Sequence, residues 1–282
     1  MRLATIRRAD GSTRAARCDG DVFVELPYGD VGELLAASPD WQTAVSNASG
    51  PTYALGQVRL APVVRSPSKV VCVGLNYRTH LRELGREEPA APTLFAKFAN
   101  ALIGPEDPIA LPPESEQVDW EAELACIIGQ RVRRADRQQA AQAIAGYTVA
   151  NDVSMRDWQW RTPQWLAGKT FEASTPIGPH LVTADEIGGQ PGRPDLMLSC
   201  EVDGQTVQEA NTGDLLFSPA DVVAYVSVIM TLEPGDLILT GTPGGIGAGR
   251  DPQVFLRPGS VVRTRIGSIG ELVNECVREP AP

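Results

Sequence analysis

The 282-residue sequence predicts an α+β protein built on a mainly antiparallel or mixed sheet. Three observations carry that expectation. Hairpin-type turn pairs, Asp10-Gly11, Asp19-Gly20 and Asp203-Gly204, separate short strand-like runs. Helical segments are short and few. Strands and helices do not alternate in βαβ order, which argues against a doubly wound sheet.

Residues 1–67 read as a small β-rich domain. Its strand-like runs are Leu3–Arg7 and Val22–Leu26, followed by helical patches at Val31–Ala37 and Trp41–Ser46. Pro62 and Pro67 bracket an extended connector, and the boundary is placed there. Residues 68–282 read as the larger domain, richer in strands. Lys69–Gly74 reads as a buried strand, and Leu124–Gly129 continues a strand that begins near Val118. A helix is expected over Gln138–Ala145, with Asp136 as N-cap and Gly146 just past its end. Tyr147–Val153 reads as a strand, and Leu196–Val202 with Gln205–Glu209 as a hairpin. Ser218-Pro219 opens a helix that runs to the turn Glu233-Pro234-Gly235-Asp236, and Leu237–Leu239 is a strand feeding a glycine-rich loop.

Composition excludes several functions. The net charge of −10, from 25 basic and 35 acidic residues, disfavours nucleic acid as a partner. No segment reaches the ~20 apolar residues of a membrane span, and the start lacks the apolar run of a signal peptide, so a cytoplasmic protein is expected. The five scattered cysteines contain no Cys-x-x-Cys pair and read as reduced, buried thiols.

The chemistry concentrates in Val118-Asp119-Trp120-Glu121-Ala122-Glu123-Leu124. On one strand the three carboxylates share a face, and two glutamates at i and i+2 can converge on one cation. The apolar continuation Leu-Ala-Cys-Ile-Ile carries this strand into a core, where carboxylates without a cation would be costly. A solvated edge strand is the competing reading. Asp152 closes the next strand and completes a candidate oxygen-ligand set, Glu121, Glu123 and Asp152, of the kind that selects Mg²⁺ or Mn²⁺.

Elsewhere, His80 precedes Glu83 by three residues, so a helical turn sets the carboxylate against the imidazole as a water-activating base requires. The polar segment 85–92 suits a lid, or a plain surface loop. Lys97 and Lys169 each follow an apolar or glycine approach into a possible pocket. The loop Thr240-Gly241-Thr242-Pro243-Gly244-Gly245 lacks a P-loop ending, but offers amides and the Thr242 hydroxyl to a carboxylate. His180, among prolines, reads as structural.

Taken in order, GLNYRTHLRE, LFAKFANALIGP, DWEAELACIIG, AGYTVANDVSMRDWQ, Gly168-Lys169, PIGP and LEPGDLILTGTPGGIG resemble the fumarylacetoacetate hydrolase family, in its acylpyruvase and oxaloacetate decarboxylase branch, over roughly residues 68–275. The resemblance implies a mixed β-roll catalytic domain, usually a homodimer, holding one Mg²⁺ or Mn²⁺. It matches Glu121, Glu123 and Asp152 to metal ligands, His80 and Glu83 to a lid dyad, and Lys169 to an oxyanion-stabilising lysine. Thr242 matches a substrate-carboxylate contact, and Arg156 and Gln159 match positions near the site. Glu172 departs from an expected aspartate. The first functional expectation is metal-dependent hydrolysis of a C–C bond in acylpyruvate-like β-diketo acids. The alternatives are an oxaloacetate decarboxylase, an isomerase or decarboxylase of aromatic-acid breakdown, a sugar-acid dehydratase, or an inactive metal-binding module.

Overall fold

The computed structural model describes residues 1–83, 85 and 87–279, and the side chains of His80 and Glu83 lie outside that description. The chain opens with an antiparallel meander, β1 (Arg2–Arg7), β2 (Thr13–Asp19) and β3 (Val22–Glu25). Helices α1 (Val31–Ala37) and α2 (Trp41–Ser46) follow, and Asp30 caps α1 by accepting from the Glu33 N–H. Then β4 (Thr52–Ala54) pairs with β3, and β5 (Arg59–Leu60) pairs with β1.

The remainder supplies β6 (Val70–Gly74), α3 (Arg78–Glu83), β7 (Thr93–Lys97), β8 (Leu102–Ile103), β9 (Ile109–Leu111), β10 (Val118–Asp119) and β11 (Ala122–Ile128). After α4 (Arg137–Ala143) come β12 (Ile144–Asn151), β13 (Ser154–Met155), α5 (Arg156–Gln159), α6 (Leu166–Lys169), β14 (Thr175–Thr183) and α7 (Ala184–Ile187). The chain closes with β15 (Met197–Val202), β16 (Gln205–Asn211), α8 (Pro219–Ile229), β17 (Leu237–Leu239), β18 (Val261–Ile266) and β19 (Gly270–Arg278).

The main path of a twelve-stranded sheet runs β4-β3-β2-β1-β14-β12-β11-β17-β6-β7. It is mixed, because β17 and β6 are parallel while β11, β12 and β14 are antiparallel neighbours. A second sheet, β16-β15-β18-β19-β9, packs across it, and β10 pairs with β13 alone. The architecture is α+β, mostly sheet, as expected. The meander of the first 60 residues extends the large sheet through β1 against β14.

Strand β11 is buried along its whole length, with alternate residues entering different cores. Leu124, Cys126 and Ile128 join the core shared with the second sheet; Ala125 and Ile127 join the core covered by α1 and α2. The Leu124, Ile127 and Ile128 side chains, fully buried, each contribute about 1.5–3 kcal/mol. Two expectations need correction. α4 stops at Ala143, and Gly146 lies inside β12, where a Cβ would sit 2.2 Å from the Val182 carbonyl oxygen. Gly146 therefore serves the close approach of β14 and caps no helix. α8 likewise ends at Ile229, ahead of the turn beginning at Glu233.

Candidate active site

The site forms where β11 and β12 begin and end side by side. Glu123 opposes Ala150 in the antiparallel register, and the Asp152 N–H donates to the Glu121 carbonyl at 2.8 Å. Glu121 and Asp152 are therefore cross-strand neighbours, with Glu123 one pleat further along. Directly opposed side chains in such a pair are about 5 Å apart. The ligand oxygens of Glu121, Glu123 and Asp152 accordingly lie within 4.8 Å of one another, all buried.

Asp119 does not join them, although strand alternation predicted one shared face. The ladder breaks between β10 and β11, and Asp119 turns toward the glycine-rich loop. Its carboxylate is fully buried and accepts from Gly247 N (2.7 Å), Ala248 N (3.0 Å), Trp120 N (2.8 Å) and Arg156 Nε (2.8 Å). It ties that loop to Arg156.

Three buried cations answer the carboxylates. Lys169 Nζ, at the end of α6, lies 2.6 Å from Glu121 Oε2 and 2.8 Å from Asp152 Oδ2. Arg156 Nη1, from α5, contacts Glu121 Oε1 and donates to Gln159 Oε1 at 2.8 Å. Among the described residues its buried Nη2 has no protein partner, which leaves one donor for a ligand. Lys97 Nζ donates to Asp152 Oδ1 at 2.7 Å and to the Val153 carbonyl. The expectation that Lys97 binds substrate is thus corrected, because it holds Asp152 from behind and does not line the cavity.

These contacts divide the acids electrostatically. Burial opposes the charge on Asp152, but Lys169 and Lys97 outweigh it and lower its pKa to about 2. Burial raises Glu123 well above the carboxylate range, and repulsion from Asp152 and Glu121 adds to it. Among the described residues one group donates to Glu123, the Gly241 N–H at 2.6 Å. Gly241 has φ +101, a conformation glycine adopts freely, and this aims its N–H at the acid. Glu121, Glu123 and Asp152 would hold a divalent ion, which would add to the small stabilisation that Lys169 gives the Glu123 charge. An all-oxygen donor set fits Mg²⁺ or Mn²⁺.

A cavity of about 260 Å³ opens over this floor. Glu121, Glu123, Arg156, Gln159, Lys169 and Thr242 line it, so most of the sequence-predicted residues converge. The Thr242 hydroxyl donates to the Ala122 carbonyl and accepts from Gln208 Nε2. The predicted dyad falls on α3, which begins three residues beyond the cavity-lining Leu75, but the side chains of His80 and Glu83 are outside the described residues. Sequence reasoning missed Phe95, Trp160 and Trp165, which form an aromatic wall. A signal existed: three of the five tryptophans fall within Asp-Trp-Gln-Trp-Arg-Thr-Pro-Gln-Trp, residues 157–165. His180 is remote, its Nδ1 3.6 Å from Cys18 Sγ, and all five cysteines are free and buried. A larger cleft of about 890 Å³, beside α4 and Met1, contains none of these site residues. Among the described residues no helix is long and apolar enough to cross a membrane.

A mixed sheet bearing a buried three-carboxylate cluster beneath a lysine and an arginine is the frame of a small-molecule enzyme site, with an oxygen donor set that could hold a divalent ion. The model for the fumarylacetoacetate hydrolase C-terminal domain matches residues 69–277, and the chain belongs to the fumarylacetoacetate hydrolase family. It is 47% identical over 219 residues to the mitochondrial oxaloacetate tautomerase Fahd2a of Rattus norvegicus, spanning 77% of this chain and 69% of that protein. The human oxaloacetate tautomerase FAHD2A is 46% identical over 220 residues, with the same coverage. Among solved structures, the 5-carboxymethyl-2-hydroxymuconate delta-isomerase of Mycobacterium smegmatis superposes with a TM-score of 0.80 at 36% identity, covering all of both chains. The fumarylacetoacetate hydrolase of Exiguobacterium antarcticum does so with a TM-score of 0.86 at 31% identity, over 99% of this chain and all of that one. These relatives are named mainly as tautomerases and isomerases, closer to the alternatives read from the sequence than to its first expectation of hydrolysis.

Proposed function

We propose that this protein is a divalent-metal-dependent enzyme that interconverts the keto and enol forms of a small 2-oxo acid, with Glu121, Glu123 and Asp152 holding Mg²⁺ or Mn²⁺. The observation that carries the reading is the buried triad, its ligand oxygens within 4.8 Å of one another at the floor of a 260 Å³ cavity. Bound there, the ion supplies Lewis-acid polarisation of the oxo group. Lys169 and Arg156 present positive charge on the same floor and favour an oxygen that gains negative charge. His80, which Glu83 follows three residues later in the sequence, would take the proton from the carbon next to the oxo group. One C–H bond breaks and one O–H bond forms, and no co-reactant is consumed. Similarity to proteins named oxaloacetate tautomerase and delta-isomerase supports proton transfer over bond cleavage.

A second reading, hydrolysis of a C–C bond in acylpyruvates, draws support from the likeness to a fumarylacetoacetate hydrolase. One experiment separates them. Decay of enol absorbance from oxaloacetate, and pyruvate release from both oxaloacetate and acetylpyruvate, are followed with Mg²⁺, with Mn²⁺ and with chelator. Metal-dependent enol decay without pyruvate release is expected. Pyruvate from acetylpyruvate would move the assignment to hydrolase, pyruvate from oxaloacetate to decarboxylase, and chelator-insensitive turnover would overturn the metal.

A further inference from the structure

We propose that Gln208 is a positioning residue for the metal site: it holds the peptide of Ala122, between the proposed ligands Glu121 and Glu123, and sets their spacing for an ion the size of Mg²⁺ or Mn²⁺. The proposal deepens the reading above and rests on it. It starts from the place where β11 loses a neighbour. The last rung of its ladder to β17 is Ala125 against Leu239, and the Thr240 N–H and hydroxyl still reach the Leu124 carbonyl at 3.0 and 2.8 Å. Ala122 lies two residues earlier, beyond the end of β17. Side chains there take the part of a strand. Gln208 Oε1 accepts from the Ala122 N–H at 3.0 Å, and the Thr242 hydroxyl donates to the Ala122 carbonyl, also at 3.0 Å. Gln208 Nε2 closes the set by donating to Thr242 Oγ1 at 2.8 Å and to the Pro243 carbonyl at 3.0 Å.

The Gln208 amide is thereby committed at both ends, its oxygen to a donor and its nitrogen to two acceptors; the reverse orientation would set like against like. Gln208 is 2% exposed and comes from β16, in the second sheet. Asn151 repeats the device one residue back. Its Oδ1 accepts from the Glu121 N–H at 2.9 Å, and its Nδ2 donates to Thr264 Oγ1 of β18 at 2.9 Å. Two successive peptides of the acidic segment are thus tied to the second sheet. Glu121 and Glu123 leave the strand on either side of Ala122, so a twist of that peptide moves one carboxylate against the other. Mg²⁺ demands near-octahedral ligands at about 2.0–2.1 Å, whereas Ca²⁺ accepts irregular shells at about 2.3–2.6 Å. A ligand strand held stiff favours the smaller ion.

The test is titration calorimetry of chelator-treated protein with Mg²⁺, Mn²⁺ or Ca²⁺ alone, without substrate and well below Tm. Gln208→Met keeps the length of the side chain and removes its amide. It should weaken Mg²⁺ and Mn²⁺ binding by about tenfold to hundredfold, the scale of losing an outer contact around a metal, and Ca²⁺ by no more than about threefold. Amides of residues 118–124 should also exchange with D₂O faster than in the wild type, even in chelator. Thr242→Val, at a half-buried position, opens the same clamp from its other end and decides the question if Gln208→Met does not fold. It should repeat the loss of Mg²⁺ over Ca²⁺, while Thr242→Ser, which keeps the hydroxyl, should retain the wild-type preference. Unchanged Mg²⁺ affinity in the folded variants, or equal loss of Mg²⁺ and Ca²⁺, would overturn the clamp. Failure of the wild-type protein to bind either Mg²⁺ or Mn²⁺ would instead sink the metal reading on which the clamp rests.

Discussion

Two buried carboxylates, Glu123 and Asp236, sit at opposite ends of neighbouring strands and have opposite fates. Asp236, at the start of β17, is fully buried and accepts from Ser68 Oγ, Lys69 N, Lys69 Nζ and Glu233 N, at 2.6 to 2.9 Å. Its negative charge is spent closing a turn and anchoring β6 beside β17. Glu123, 1% exposed on β11, receives one backbone N–H among the described residues and faces two other acids. Burial is the same in both; the supply of donors differs. A buried acid with its donors in place is architecture. One that lacks them, in a cavity among other acids, is poised for a cation.

The largest effect should follow from removing that acid. Glu123→Ala is expected to lower kcat/KM by about a thousandfold or more, the scale of losing an essential metal ligand. It should also abolish the rise in Tm caused by Mg²⁺, while stability in chelator holds or improves as the acidic repulsion is relieved. Calorimetry with and without chelator checks this, and a persisting Mg²⁺ shift would remove Glu123 from the ligand set. Asp236→Ala should do the reverse. It leaves the Lys69 ammonium, the Ser68 hydroxyl and two backbone N–H groups without their acceptor and should cost about 3 kcal/mol of folding stability, with the Mg²⁺ shift retained. Urea denaturation measures it.

Asp119→Asn tests an acid of intermediate kind, fully satisfied yet bonded to a site residue. The asparagine keeps the shape but gives up charge toward Arg156 and acceptor capacity toward the Gly247–Ala248 amides. A tenfold to hundredfold loss in kcat/KM is expected, on the scale of outer positioning contacts around a metal site, with folding intact by circular dichroism. Unchanged kinetics would show that the loop and Arg156 hold without it.

The smallest effect concerns pH, away from the site. Burial lowers His180 to about 4, helped by Arg2 and opposed by Glu186. Above about pH 6.5 the ring is neutral in both folded and unfolded chains and contributes nothing to the pH dependence. As pH falls from 6.5 toward 4 the unfolded chain binds the proton first, so stability drops, by about 3 kcal/mol at the low end. His180→Gln should flatten that part of a Tm-against-pH curve. An identical slope in the variant would assign the loss to other groups.

Local pattern made much of the molecule legible. The caps at Asp136 and Ser218 and the hairpin over Asp203-Gly204 are encoded within a few residues, and α1, α2 and β17 appear at their expected bounds. The clustering of the three acids was readable for the same reason. Spacing of two on a strand sends Glu121 and Glu123 to one face, and one more strand brings Asp152 beside them. Asp119 escaped this logic because the break between β10 and β11 lies in tertiary hydrogen bonding, not in the alternation of residue types. Lys97 escaped it too, since an ammonium behind a strand and one inside a pocket carry the same local signature.

By itself, then, the sequence determined the α+β class, most element positions, the acidic triad and the family, because each depends on side-chain period, turn chemistry or an ordered set of motifs. Only the tertiary structure decided which cations answer which acids, that β1 extends the large sheet through β14, and that Phe95, Trp160 and Trp165 meet over the site. Those outcomes join residues up to about 180 positions apart, such as Leu3 and Leu181. Pairings of that range are selected by burial and charge balance over the whole molecule, which no short window of sequence contains.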